Sequence, residues 1–158
     1  MSETSETLNA APGGYRIHPP LLAAGLLIGT LILHSLFERG DTQAHGVLGL
    51  LLAAGGIGLS FFAAALFQAR NTTKNPYGEP SQFVVEMPYT FTRNPMYLGL
   101  TVALLGLAIF FGSIVMLLAP IGFFLVLDRM VIPNEENALA RIFGQQYLDY
   151  KARVRRWL

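Results

Sequence analysis

Arg93-Asn94-Pro95-Met96-Tyr97 opens an apolar run that meets no second polar cluster until Glu135-Glu136, and the reading of this stretch decides the fold. Between Tyr97 and Pro133 only Asp128 and Arg129 carry charge. As one straight helix the 36 residues from Tyr97 to Ile132 would run about 54 Å, at roughly 1.5 Å per residue, against a hydrocarbon core of about 30 Å. One crossing is too few. Gly112-Ser113 lies near the middle and suits a tight turn, since Gly leaves helical dihedrals without a side-chain cost and Ser bonds local backbone. The run therefore divides into two spans, about 97–111 and 114–132, and a hairpin of two spans returns Arg93 and Glu135-Glu136 to one side of the membrane.

Outward from that hairpin the composition is equally plain. Hydrophobic residues make up 53% of the 158 and charged residues 13%, about half the charged share of a soluble domain. That balance places the chain in a membrane. The absence of cysteine excludes disulfides, thiolate metal ligands and a cysteine nucleophile, and no metal site is expected. A net charge of +1 gives no reason to expect a nucleic-acid partner.

Upstream, residues 1–19 are small and polar and read as a disordered tail, with residues 20–158 forming a single membrane domain. Pro19-Pro20 starts a span over about 21–37, in which Gly25 and Gly29 have the spacing of close packing, chiefly within the chain. After the polar turn Glu38-Arg39-Gly40-Asp41 a second span covers about 46–67; its glycines, Gly49 to Gly58, let a neighbouring backbone or a flat ring come close. The connection from Asn71 to Thr92 is long for a compact protein and carries Phe83-Val84-Val85 and Pro88-Tyr89, which suit a pocket cover. Downstream of Pro133, an Asn134 cap and apolar residues at Leu139, Phe143, Tyr147, Tyr150 and Val154 predict an interfacial helix over about 135–156, anchored by Arg153, Arg155, Arg156 and Trp157.

The expected fold is thus an all-α integral membrane protein with four transmembrane helices and a C-terminal interfacial helix. Lys and Arg number one before the first span, one in the first loop, three in the second connection, none at Gly112-Ser113 and six from Arg129 onward. By the positive-inside rule both termini face the cytoplasm of a bacterial inner membrane.

The polar residues can act together. Asn94 is an N-cap type and Pro95 suits the first helical position, so part of the motif starts a helix. A fixed Arg93 guanidinium beside a positive helix end also offers a carboxylate or phosphate a two-point site. With Arg93, Glu135, Glu136, Tyr89 and Tyr97 at one mouth, a zwitterionic cofactor can be held from water while an apolar or lipid-like acceptor enters from the bilayer. Arg93 and Glu136 are the candidate catalytic pair.

Arg93-Asn94-Pro95-Met96-Tyr97-Leu98-Gly99, two apolar spans, then Glu135-Glu136, Leu139, Phe143-Gly144, Tyr147, Tyr150, Val154 and Arg155 resemble the signature of the isoprenylcysteine carboxyl methyltransferase and phospholipid methyltransferase superfamily. Asn71-Thr72-Thr73-Lys74-Asn75-Pro76 is similar to the stretch that precedes the motif in bacterial members. The resemblance covers roughly residues 66 to 156. It implies S-adenosylmethionine as cofactor, contacted by Tyr89, Arg93, Asn94, Pro95, Tyr97, Glu135 and Glu136, and an isoprenylcysteine carboxyl methyltransferase-like transfer to a lipid-like acceptor. A phospholipid N-methyltransferase is the alternative enzyme, and a non-catalytic membrane scaffold or ligand-binding subunit the alternative of another class. Asn94 stands where many members have His, which removes an imidazole base. At Glu86-Met87-Pro88-Tyr89-Thr90 members often show Gly-Pro-Tyr-Arg, so Thr90 replaces a second cationic contact and Met87 a turn glycine.

Overall fold

The computed structural model describes residues 17–38, 45–70 and 86–158. Most of the expected tail, the first loop from Arg39 and the Asn71 to Val85 part of the second connection lie outside the described residues.

Helix α1 (Pro19–Phe37) begins where Pro19-Pro20 fix φ for the first turn and need no N–H partner. Helix α2 (Gly46–Arg70) runs along α3 (Pro95–Phe110), while α1 and α4 (Leu118–Val126) pack on each other and on α3. The chain leaves α3 at Gly112, whose φ of +59° is a left-handed value that glycine adopts without strain, and re-enters helix through a 3-10 turn at Val115–Leu117. It continues through α4, a wider π segment at Leu127–Val131 and α5 (Ile132–Phe143), then α6 (Gln145–Arg153).

The α2–α3 seam is closed by backbone rather than by side chains. A methyl group built on Gly56 would lie 2.5 Å from the Gly99 carbonyl oxygen, and one on Gly99 equally close to the Gly56 carbonyl. Lipid tails are as apolar as leucine, so burial alone does not hold two helices together in a bilayer; close dispersion contact does, and small residues permit it. Gly56→Leu would force the helices apart, at about 1–3 kcal/mol for overpacking. The second packing centre joins Ala23 of α1 to Leu104, Ala119, Phe123, Leu127 and Ile132. Gly25 and Gly29, by contrast, have no neighbour within 4 Å of an added methyl among the described residues, so the expectation that they pack within the chain does not hold there.

The four-crossing expectation is overturned. Among the described residues three helices are long and apolar enough to cross a membrane: Pro19–Phe37, Gly46–Ala69 and Val115–Phe143. The other expected span, 97–111, is the 16-residue Pro95–Phe110, about 24 Å long at 1.5 Å per residue, short of a hydrocarbon core of about 30 Å. The apolar run divides unequally because helix does not stop at Pro133. Proline in an α-helix clashes with the carbonyl four residues earlier, here that of Arg129, and the π segment widens the ladder at that turn. The last crossing thus fuses with the polar residues beyond it, up to Phe143. A separate interfacial helix over 135–156 is corrected for the same reason: its first part belongs to that long helix, and the break falls at Gly144, φ +52°. An even number of crossings accordingly no longer supports placing both termini on the cytoplasmic side.

Candidate functional site

Arg93 and Glu136 nevertheless meet. The turn at Gly112 sends the long helix back along α3, so the start of α3 faces the start of α5, and Arg93 Nη2 lies 3.1 Å from Glu136 Oε1. Glu136 is buried, its side chain 5% exposed, and it also receives Lys151 Nζ at 2.8 Å and the Arg156 fork, Nε and Nη2, at 3.2 Å each. Three cations on one carboxylate leave it little capacity for anything else. Glu135 points elsewhere: its Oε1 accepts the Tyr97 hydroxyl at 2.6 Å.

Between these groups lies a cavity of about 370 Å³. Every sequence-predicted site residue lines it: Tyr89, Arg93, Asn94, Pro95, Tyr97, Glu135 and Glu136. Phe67 of α2 and Met96, Leu139, Phe143, Tyr147 and Tyr150 complete most of the wall, and sequence reasoning gave these no site role. The signal was present, since Glu135, Leu139, Phe143 and Tyr147 recur every four residues and so follow one helical face. That stripe reads equally well as the buried side of an interfacial helix, the reading adopted from sequence.

The tyrosines fasten the wall. Tyr150 donates to the Tyr89 carbonyl at 2.7 Å, and Tyr89 donates to the Ala63 carbonyl on α2 at 3.2 Å. Burial pushes the Tyr89 phenol up to about 12, and the Tyr147 phenol likewise to about 12, with the Glu136 charge adding to the effect. Both are neutral donors at any physiological pH.

The two caps predicted from sequence are corrected. Asn94 occupies the N-cap position of α3, but its side chain makes no cap bond; its Nδ2 donates to the Arg156 carbonyl at 3.1 Å. Asn134 sits inside continuous helix and donates to the Met130 carbonyl at 2.7 Å. The preceding turn supplies carbonyls for the amides around Glu135 and Glu136, so neither glutamate serves a free helix end.

Among the described buried side-chain nitrogens and oxygens, Arg93 Nε alone has no partner. The rest of that guanidinium is fixed, Nη1 on the Lys151 carbonyl at 3.2 Å and Nη2 on Glu136. A buried unpaired donor costs about 1–3 kcal/mol, and Arg93 is also one of the residues that line the cavity. Among the described residues no cluster of His, Asp and Glu could hold a metal ion.

Compared with known proteins, residues 44–146 match the family described as Phospholipid methyltransferase. An uncharacterized protein of Haemophilus influenzae is 41% identical over 63 residues, which are 40% of this chain and 100% of that protein. No solved structure matches the chain.

Proposed function

Because the chain belongs to the phospholipid methyltransferase family, which residues 44–146 match, we propose that its cavity binds S-adenosylmethionine and that the methyl group passes to the amine of a phospholipid headgroup at the membrane. The observation that carries the reading is Arg93, which lines a cavity whose volume of about 370 Å³ lies in the range of small-molecule sites and whose buried Nε has no partner among the described residues. The lining fits such a methyl donor: the Arg93 guanidinium would take the carboxylate, and the rings of Phe67, Tyr89, Phe143 and Tyr147 would cover the apolar parts.

The cofactor supplies an already activated methyl on sulfur, so that neither a metal nor a covalent protein intermediate is needed. The chain's own work is alignment and proton handling. A headgroup ammonium must lose a proton before its nitrogen can attack. Glu136 is a poor base, because Arg93, Lys151 and Arg156 all stabilise its ionised form. Glu135, bonded on one oxygen to the neutral Tyr97 hydroxyl, is the group that can accept that proton. Of the two glutamates, Glu135 thus takes the proton and Glu136 holds Arg93 in place.

Carboxyl methylation of an isoprenylcysteine is the second reading, and the family match supports phospholipid N-methylation better. The purified chain in mixed micelles with a labelled methyl donor distinguishes them. Label is expected in alkali-stable N-methylated headgroup from phosphatidylethanolamine. Label that instead appears as a base-labile ester on a prenylated cysteine acceptor, with none in lipid, overturns the phospholipid reading.

A further inference from the structure

Arg153, Arg155, Arg156 and Trp157 read from sequence as a basic anchor, yet residues 155–157 are threaded between the two halves of the site. The Arg156 side chain holds the acidic half, with Nε and Nη2 on the two Glu136 oxygens at 3.2 Å each and Nη1 on Asp128 Oδ1 at 3.1 Å. Its own backbone carbonyl holds the other half, accepting from Thr92 Oγ1 at 3.0 Å and Asn94 Nδ2 at 3.1 Å. The Arg93 amide donates to the Arg155 carbonyl at 2.9 Å. Trp157 closes the strap, its indole N–H on Asp128 Oδ1 at 2.9 Å and its ring 4.6 Å from that of Phe124.

We infer that Arg156 is a positioning residue of the site, clamping the Thr92-Arg93-Asn94 turn to Glu136 so that the Arg93 guanidinium is held against the cavity. The chemistry requires arginine. A planar fork addresses both oxygens of one carboxylate and still presents a third nitrogen to another, whereas an ammonium is a point charge with no fixed directions. By sharing Glu136, Arg156 also removes the need for Arg93 to turn its whole fork onto that carboxylate. Arg93 spends Nη2 there and Nη1 on the Lys151 carbonyl, which leaves Nε without a partner among the described residues. The neighbouring Arg155 is exposed and contributes its carbonyl to the strap. A basic anchor would use both arginines alike, and a clamp uses Arg156.

The inference rests on the proposed donor site for one of its two readouts and is independent of it for the other. Both use the full chain in detergent, comparing wild type, Arg156→Lys and Arg155→Ala. Hydrogen exchange at the Tyr89 to Asn94 amides reads the clamp without any ligand. S-adenosylmethionine affinity, by calorimetry, reads its consequence. Arg156→Lys keeps the charge, and it is expected to speed exchange in that turn but not in α1, and to lower donor affinity about tenfold. Arg155→Ala removes a charge and is expected to change neither. Equal effects of the two substitutions, or unchanged exchange in Arg156→Lys, overturn the clamp. Wild type that binds no donor overturns the proposed function, and the exchange contrast still decides the clamp.

Discussion

A carboxylate fastens each end of this helix bundle, and the two ends are built differently. At one, Glu38 follows α1, accepts the Val115 amide at 3.2 Å and the Ser113 hydroxyl, and meets His34 Nδ1 at 3.2 Å. Ser113 in turn accepts the Met116 amide at 3.0 Å, so one acid caps the return of the chain after Gly112. At the other end Glu136 and Asp128 are met by Arg93, Lys151 and Arg156, beside a cavity. The Glu38 knot matches one acid largely to neutral donors and completes a turn. The Glu136 knot gathers more donor capacity than its carboxylates use, and the surplus is Arg93 Nε, which has no partner among the described residues. An end that only joins helices has no use for a buried unpaired donor, and the proposed donor site gives it one.

The comparison breaks most easily at Glu136. Glu136→Ala would leave the buried Arg93 without its acid and the more exposed Lys151 and Arg156 beside it, and removal of one partner from a buried ionic cluster costs about 3–5 kcal/mol, a figure that solvent at Lys151 and Arg156 reduces. The expected result is a clearly lower melting temperature in detergent, with donor binding lost as a consequence. Sequence alone suggests a wet residue that fills no core, and so a variant that stays folded. Glu136→Ala melting like wild type would show that the three cations do not depend on this acid.

Arg93→Lys tests the surplus donor. Lysine can still reach Glu136 but has no Nε–H, so the stability loss is expected to be modest, while donor affinity falls about tenfold to hundredfold, the equivalent of roughly 1.5–3 kcal/mol for a charge-assisted bond. Unchanged affinity would mean that the orphan nitrogen does not contact the donor. Tyr97→Phe is expected to act more weakly still. It removes the 2.6 Å bond to Glu135 and about 1 kcal/mol with it, and should lower the rate with an amine acceptor more than it lowers donor affinity. The opposite split would take Glu135 out of proton transfer.

Much of this site was legible, because its parts are local signals on either side of one apolar run. Arg93-Asn94-Pro95 starts a helix, Glu135-Glu136 lies on the return, and Gly112 supplies the turn that brings them together. The number of crossings was not legible, since hydropathy marks where charge resumes at Glu135 but not that helix continues through Pro133. The clamp was hidden for a related reason. Asp128 to Arg156 and Thr92 to Arg156 are pairings over 28 and 64 residues, which leave no periodic trace, and a run of arginines before a terminal Trp has a sufficient explanation in membrane anchoring. The Asn94 and Asn134 cap readings failed through tertiary override: Asn94 finds a better acceptor in the Arg156 carbonyl, and helix already precedes Asn134.

The smallest effect is expected at Glu38, where it sharpens the contrast. Hydrogen bonds from Ser113, then His34, and from the Val115 amide hold its carboxyl below the ordinary value of 4.5. A carboxyl lowered by folding contributes stability above its unfolded value, and that contribution disappears as pH falls through the folded value. Glu38→Gln keeps the size and one acceptor oxygen but cannot titrate. The stability difference between wild type and Glu38→Gln should therefore be constant from neutral pH down to about 4.5 and shrink below it, as read from melting curves in detergent at several pH values. Donor affinity at neutral pH should be the same in both proteins, because the π segment at Leu127–Val131 separates the turn that Glu38 caps from the turn that carries Glu135 and Glu136. A fall in donor affinity in Glu38→Gln would show instead that the long helix transmits the set of its first turn to the pocket, and the two ends would then be one device rather than two.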